Sequence, residues 1–202
     1  MKGRDAKPHI GIFGRRNNGK SSLINCLAGQ EVAIVSEEPG TTTDPVKKSI
    51  EIPGIGPVVV IDTAGSDDTG SLGSKRVKKT REVMRWIDLA LLLLSENRYG
   101  KEETALVEEL EKWEIPYLVI HNKSDLEPAG KPLTTAVETA TGKQPFDFSA
   151  LHPQRLESLI REIRNHIPES AYMSKSMVGD IISRGDLVLL ITPIDERPPK
   201  AG

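Results

Sequence analysis

The chain has 202 residues, enough for one ordinary domain or one domain plus a piece of another. Hydrophobic residues make up 37% and charged residues 28%, and 27 Lys+Arg against 29 Asp+Glu leave a formal net charge of −2. That balance argues against generalised binding to nucleic acid or an anionic membrane. The single cysteine, Cys26, excludes an intrachain disulfide and a cysteine-ligated zinc or iron–sulfur site. His9, His121, His152 and His166 are scattered, without metal-ligand spacing. The longest apolar runs fall short of the roughly 18 residues that span a bilayer. Met1–Pro8 is polar and has no signal-peptide core, so the cytosol is the expected compartment.

Pro8–Gly14 reads as a strand that ends at glycine. A helix is expected over Lys20–Ala28, with Leu23, Ile24 and Leu27 on one face and Gly29 ending it. Residues 30–45 read as a loop. Val46–Ile52 and Val58–Ile61 flank a Pro/Gly-rich turn and read as an antiparallel hairpin. Residues 65–73 read as a second loop, followed by a helix over Ser74–Ile87. Leu89–Leu94 is a nearly pure apolar run, as expected of a central strand covered on both faces. Lys101–Trp113 is expected to be a helix, Tyr117–Ile120 a strand, and Thr134–Ala140 a short helix. Phe146–Phe148 reads as a short strand and Pro153–His166 as a helix.

This alternation implies an α/β fold: a six-stranded, mostly parallel sheet with one antiparallel edge strand and helices on both faces. The element set is complete by residue 168. Pro168–Lys175 reads as a linker, Ser176–Ile182 as a helical turn and Leu187–Thr192 as a strand without an obvious partner. Residues 169–202 are therefore expected to be a linker and the truncated start of a second domain.

Gly14–Ser21 matches G-x-x-x-x-G-K-[ST] between a strand and a helix, the setting of a phosphate-binding P-loop. Its backbone N–H groups curl round a phosphate, and the helix N-terminus adds partial positive charge. Residues Asn17, Asn18, Gly19, Lys20, Ser21 and Ser22 form the expected cradle. Lys20 is expected to reach the β- and γ-phosphates and the Ser21 hydroxyl to ligate Mg²⁺. Asp62-Thr63-Ala64-Gly65 ends an apolar strand. Asp62 suits Mg²⁺, through water, and the Gly65 N–H a γ-phosphate. Asn122-Lys123-Ser124-Asp125 follows a buried strand and reads guanine. The Asp125 carboxylate can accept from N1–H and the exocyclic amine, a pair of donors adenine does not offer there. Asn122 is expected to tie this loop to the P-loop, with the Lys123 stem along the base. Ser149-Ala150-Leu151 follows the last strand.

These motifs resemble those of the translation-factor-related GTPases, in the TrmE/Era-like group that holds tRNA-modifying and ribosome-assembly GTPases. The resemblance implies a P-loop GTPase fold, with a backbone N–H of Ser149–Leu151 meeting guanine O6. Gly40–Asp44 resembles the group's switch I stretch G-T-T-R-D, with Thr43 in place of the arginine, and implies that Thr42 ligates Mg²⁺. A closer resemblance is to the GTPase domain of the HydF family, scaffolds of FeFe-hydrogenase maturation. It is carried by Pro39–Val46 (PGTTTDPV), Val77–Val83 (VKKTREV) and Gly185–Lys200 (GDLVLLITPIDERPPK). In that family a dimerisation domain and a cysteine-containing cluster-binding domain follow. The resemblance implies that this chain stops inside the second domain and carries no cluster. It also implies partnership with other maturases and with its own missing cluster domain, and allows a homodimer through the C-terminal strand.

The resemblance further implies a potassium-assisted mechanism. The residue after D-x-x-G is Ser66, too short to orient water as a glutamine does. In the group, an asparagine at the fourth P-loop position helps hold K⁺, and Asn17 stands there, either as that ligand or as a hydrogen-bonding residue of the loop alone. Lys20, Thr42 and Gly65 are the catalytic candidates, and slow intrinsic turnover is expected. Asp67 and Asp68 either position water or are solvated. Arg15 and Arg16 either touch phosphate or are solvated. The basic run Lys75–Arg81 either docks an acidic partner or forms a solvated face. Cys26 reads as a core thiol and His121 as structural. A tRNA-modification or ribosome-assembly GTPase, and a scaffold module that binds GTP without hydrolysing it, are the rival readings.

Overall fold

In the computed structural model, which describes residues 7–29, 36–38, 46–62 and 82–172, seven strands form one sheet. They are β1 (His9–Gly14), β2 (Ser36–Glu38), β3 (Val46–Ile52), β4 (Gly56–Asp62), β5 (Leu89–Leu94), β6 (Tyr117–His121) and β7 (Phe146–Asp147). The helices among the described residues are α1 (Lys20–Ala28), α2 (Lys101–Lys112), α3 (Lys131–Thr141) and α4 (Leu156–His166). Residues 82–84 are also helical, at the end of the helix expected over Ser74–Ile87.

The order across the sheet is β2-β3-β4-β1-β5-β6-β7. β1 pairs in parallel with β4 and β5, and the parallel series continues through β6 to β7. The hairpin puts β3 antiparallel to β4, in register from Val46↔Asp62 to Ile52↔Gly56. β3 alone runs against the rest, as the turn-rich connection implies. It is not outermost, because β2 pairs outside it, from Ser36↔Ser49 to Glu38↔Lys47. The expected six strands therefore gain a three-residue seventh from the stretch read as a loop. Three residues are too few to carry an alternation that a sequence could show.

Strand alternation sorts the core into two layers. Leu89, Leu91 and Leu93 of β5 and Val58 and Val60 of β4 pack with Leu23, Ile24 and Leu27 of α1 and Leu159 and Ile163 of α4. Ala90, Leu92 and Leu94, with Val59 and Ile61, face Val83 and Met84, Val107 and Leu110 of α2, and Leu133 and Val137 of α3. A sheet buried on both faces needs apolar residues at every position, which is why β5 has no polar residue.

Beyond α4, Glu169–Tyr172 forms a 3₁₀ turn, and its Ala171 is buried in the same layer as α4. Packed structure thus continues past residue 168. Among the described residues no helix is long and apolar enough to cross a membrane.

Candidate nucleotide-binding site

The parallel strands end along one edge of the sheet, where α/β sheets bind ligands. β1 ends at Gly14 and opens the P-loop, β4 ends at Asp62, β6 leads to Asn122, and β7 leads to Ser149. The register Ile12↔Asp62 sets the β4 carboxylate beside the strand that feeds the P-loop.

Two glycines make the P-loop possible. Gly14 has φ 145°, and a Cβ there would lie 2.5 Å from the Leu93 carbonyl oxygen. Gly19 has φ 85°, and a Cβ would collide with Asn122 Nδ2. Asn17, at φ 64°, also takes the left-handed conformation that asparagine tolerates. The Lys20 ammonium is buried and donates to the carbonyls of Gly14 at 2.7 Å and Arg15 at 2.9 Å. Those bonds fix it across the mouth of the loop. Gly19 is the N-cap of α1, and no side chain caps that end of the helix. Ser21 and Ser22 are exposed in its first turn.

Asn18 is a strut rather than a side-chain ligand. It is buried, its Nδ2 donates to Leu93 O at 2.6 Å, and its Oδ1 accepts from Ser95 Oγ at 2.7 Å. Asn122 is the hub of the site. Its Nδ2 donates to Asn18 O at 2.8 Å, and its Oδ1 accepts from the Ala150 N–H at 3.1 Å. One buried side chain thus joins the P-loop, the Asn122–Asp125 loop and the Ser149–Leu151 loop, and the expected tie to the P-loop is present.

The loop bearing Asp125 is held from several sides. Lys123 has φ 62°, and Ser124 N–H donates to Phe148 O at 3.0 Å. The Ser149 hydroxyl, above all, holds the Asp125 carboxyl below its usual range, helped by Asp125's own backbone bond and the nearby His152 and Lys123. A carboxylate kept ionised suits an acceptor of two N–H donors. Leu126 and Leu151 are exposed beside these loops.

Several neighbours have structural roles. Arg15 pairs with Glu103: its Nε and a terminal nitrogen each donate at 2.7 Å to that carboxylate, which also accepts the Gly100 N–H at 2.9 Å. Cys26 packs against the core, and burial pushes its thiol up. His121 is fully buried, with Nδ1 2.8 Å from Asp147 Oδ1. The sequence reading missed Ser95, Asn97 and Asp147 as supports of the site. The one available signal was the polar Ser-Glu-Asn immediately after the apolar β5. Thr42, Gly65, Ser66, Asp67 and Asp68, the basic run Lys75–Arg81, and the C-terminal strand Leu187–Thr192 lie outside the described residues.

A phosphate-binding loop after β1 and a guanine-type loop after β6, at the same edge of one parallel series of strands, define a P-loop domain for guanine nucleotides. Residues 9–123 match the family model described as 50S ribosome-binding GTPase, and the chain belongs to that GTPase family. It is 47% identical over 118 residues to the tRNA modification GTPase MnmE of Nitrosomonas eutropha, a match covering 57% of this chain and 26% of that protein. It is 37% identical over 174 residues to MnmE of Nitrosomonas europaea, covering 81% of this chain and 37% of the relative. The chain therefore spans well under half the length of these relatives. Among solved structures it is similar in fold to Aquifex aeolicus Era bound to GDP and aluminium fluoride. There the TM-score is 0.61 and the identity 24%, over 80% of this chain and 57% of the other. Together these set the chain among the TrmE/Era-like P-loop GTPases.

Proposed function

We propose that the chain is a switch domain that binds and slowly hydrolyses GTP. The observation that carries this reading is the Asn122 hub, which locks a phosphate loop and a guanine-selective loop into one site. Lys20 and the P-loop amides clamp the β- and γ-phosphates, and Gly65 N–H and Thr42 close on the γ-phosphate. Ser21 and Asp62 offer the hard oxygen donors that suit Mg²⁺, at adjacent strand ends. With Thr42 they would hold an ion whose other ligands are phosphate and water. When bound, such an ion would supply positive charge to neutralise the phosphates. Asn17 is exposed at the loop tip, free to face a K⁺ doing the work of an arginine finger. Nucleotide state then reorders residues 30–45 and 65–75.

The process served is the finer question. The similarity to MnmE supports a tRNA-modification GTPase more strongly than a hydrogenase-maturation scaffold. The stretches PGTTTDPV, VKKTREV and GDLVLLITPIDERPPK support the second reading. A coding sequence that runs past residue 202 into a cysteine-bearing domain would favour hydrogenase maturation, and binding to tRNA would favour the first.

The activity is tested by GTP hydrolysis with Mg²⁺ in K⁺ against Na⁺ buffer, beside Asn17→Ala. Activation by K⁺ that the variant loses is the expected result. Equal slow rates in both salts would remove the potassium step, and no turnover in single-turnover assays would leave a binding-only module. Asp125→Asn is expected to weaken GTP binding about a hundredfold and to shift preference toward XTP; unchanged GTP affinity would sink the guanine assignment.

A further inference from the structure

We propose that the Asp147 carboxylate is a positioning group for guanine selection, acting by closing the loop that carries Asp125. The inference rests on the guanine reading above and adds a residue outside its motifs. Asp147 ends β7, the outermost strand on its side of the sheet. Its Oδ1 lies 2.8 Å from His121 Nδ1 and 3.1 Å from the Ala129 N–H nitrogen, and its Oδ2 lies 3.2 Å from that same nitrogen. His121 is the last residue of β6, just before Asn122, and Ala129 lies at the far end of the loop. One carboxylate therefore grips both ends of the segment with Asp125 at its middle.

The histidine fits this role and little else. A carboxylate only accepts, so His121 Nδ1 carries a proton and donates to Asp147, and the other ring nitrogen, Nε2, has no part in that contact. That nitrogen is buried with no partner among the described residues. An apolar side chain would fill the space without that cost. What the imidazole provides in return is a fixed orientation for the Asp147 carboxylate.

The loop needs such fixing. Lys123 holds a left-handed backbone without being glycine, a conformation that persists when its surroundings impose it. Asn97, in the turn after β5, adds a second grip. Its Oδ1 accepts the Gly130 N–H at 2.7 Å and its Nδ2 donates to Pro128 O at 3.2 Å. Ser95 of the same turn holds Asn18 of the P-loop. A recognition carboxylate must sit within about half an ångström of its working position, and these grips set where Asp125 sits.

The test measures affinities for GDP, for ADP and for IDP, whose base lacks the exocyclic amine, together with GDP dissociation rates and nucleotide-free melting. The proteins are the wild type, Asp147→Ala, Asp147→Asn and Asn97→Ala. Asp147→Ala is expected to narrow the GDP-over-IDP preference by about tenfold and to speed GDP release. Asp147→Asn, which still offers one acceptor, falls between, and Asn97→Ala shifts the ratio in the same direction without touching the sheet. Should Asp147→Ala fail to fold, the other two variants carry the comparison. Lowered melting with an unchanged ratio and release rate would reduce Asp147 to a fold support and overturn the proposal. A wild type that does not prefer GDP to ADP would overturn the guanine reading, and this inference with it.

Discussion

Glu103 shows how a single side chain can anchor a loop that must not move. It is only 3% exposed, and burial alone would push its carboxyl up. The paired bonds from Arg15 and the backbone N–H groups, including that of Gly100, outweigh burial and hold it below the ordinary value of 4.5. A carboxyl depressed in the fold contributes stability that is complete above its unfolded value and is lost as pH falls through the folded one. Stability is therefore expected to drop as pH falls below about 4.5, and Glu103→Gln to flatten that slope in urea titrations run across the acid range. Arg15→Ala is expected to cost about 2 kcal/mol at neutral pH. Fully buried pairs cost more to break, but the Arg15 side chain is 38% exposed and water compensates part of the loss. The sequence showed Arg15 only as a P-loop residue with two possible roles. Its partner lies 88 positions away, and no local pattern announces a contact that long.

At the scale of elements, the central strand leaves little room for change. A Cβ on Gly11 of β1 would lie 2.8 Å from Phe13 Cε2 and 3.0 Å from Ile87 Cδ1 and Cγ2. Gly11→Ala is expected to destabilise by about 1–3 kcal/mol through overpacking, and each kcal/mol lowers Tm by about 2–4 °C in a domain of this size; calorimetry checks it. An unchanged Tm would mean that Ile87 yields freely. The elements themselves were largely legible. β5 and β6 announce themselves as apolar runs, and α1 by its spaced leucines and Gly29. α3 begins earlier than its apolar spacing suggests, because Pro132 sits in its first turn, and it ends at Gly142 in a left-handed cap. β2 was not legible, since its place depends on pairing with β3 rather than on its own residues. The motifs named Lys20, Asn122 and Asp125 because phosphate and guanine chemistry demand those types at those spacings. Asp147, Asn97 and Ser95 stayed hidden because holding a loop end asks only for an acceptor or donor, which many residue types provide.

Across the whole molecule, a contact joins the stretches of chain that follow the two segments nucleotide state is proposed to reorder. Lys47 lies near the start of β3, soon after residues 30–45, and Trp86 closely follows the helical residues 82–84. The Lys47 ammonium stands 4.7 Å from the centre of the Trp86 ring, which is half exposed. An exposed cation–π contact is worth about 0.5–1 kcal/mol, enough to hold the ring in one setting and weak enough to yield. If nucleotide state shifts either preceding segment, the ring's distance from the ammonium and its access to water change together. Exchange of GDP for a non-hydrolysable GTP analogue is therefore expected to change Trp86 emission and its quenching by iodide. Trp113, the other tryptophan, is also exposed, so the measurement belongs in a Trp113→Phe background. Lys47→Met should remove most of the nucleotide-dependent difference while leaving nucleotide affinity intact, because the stack reports the change rather than binding the ligand. Emission that responds equally with and without Lys47 would mean that Trp86 senses its own helix alone. Emission that does not respond at all would mean that both segments can rearrange without moving the chain that follows them.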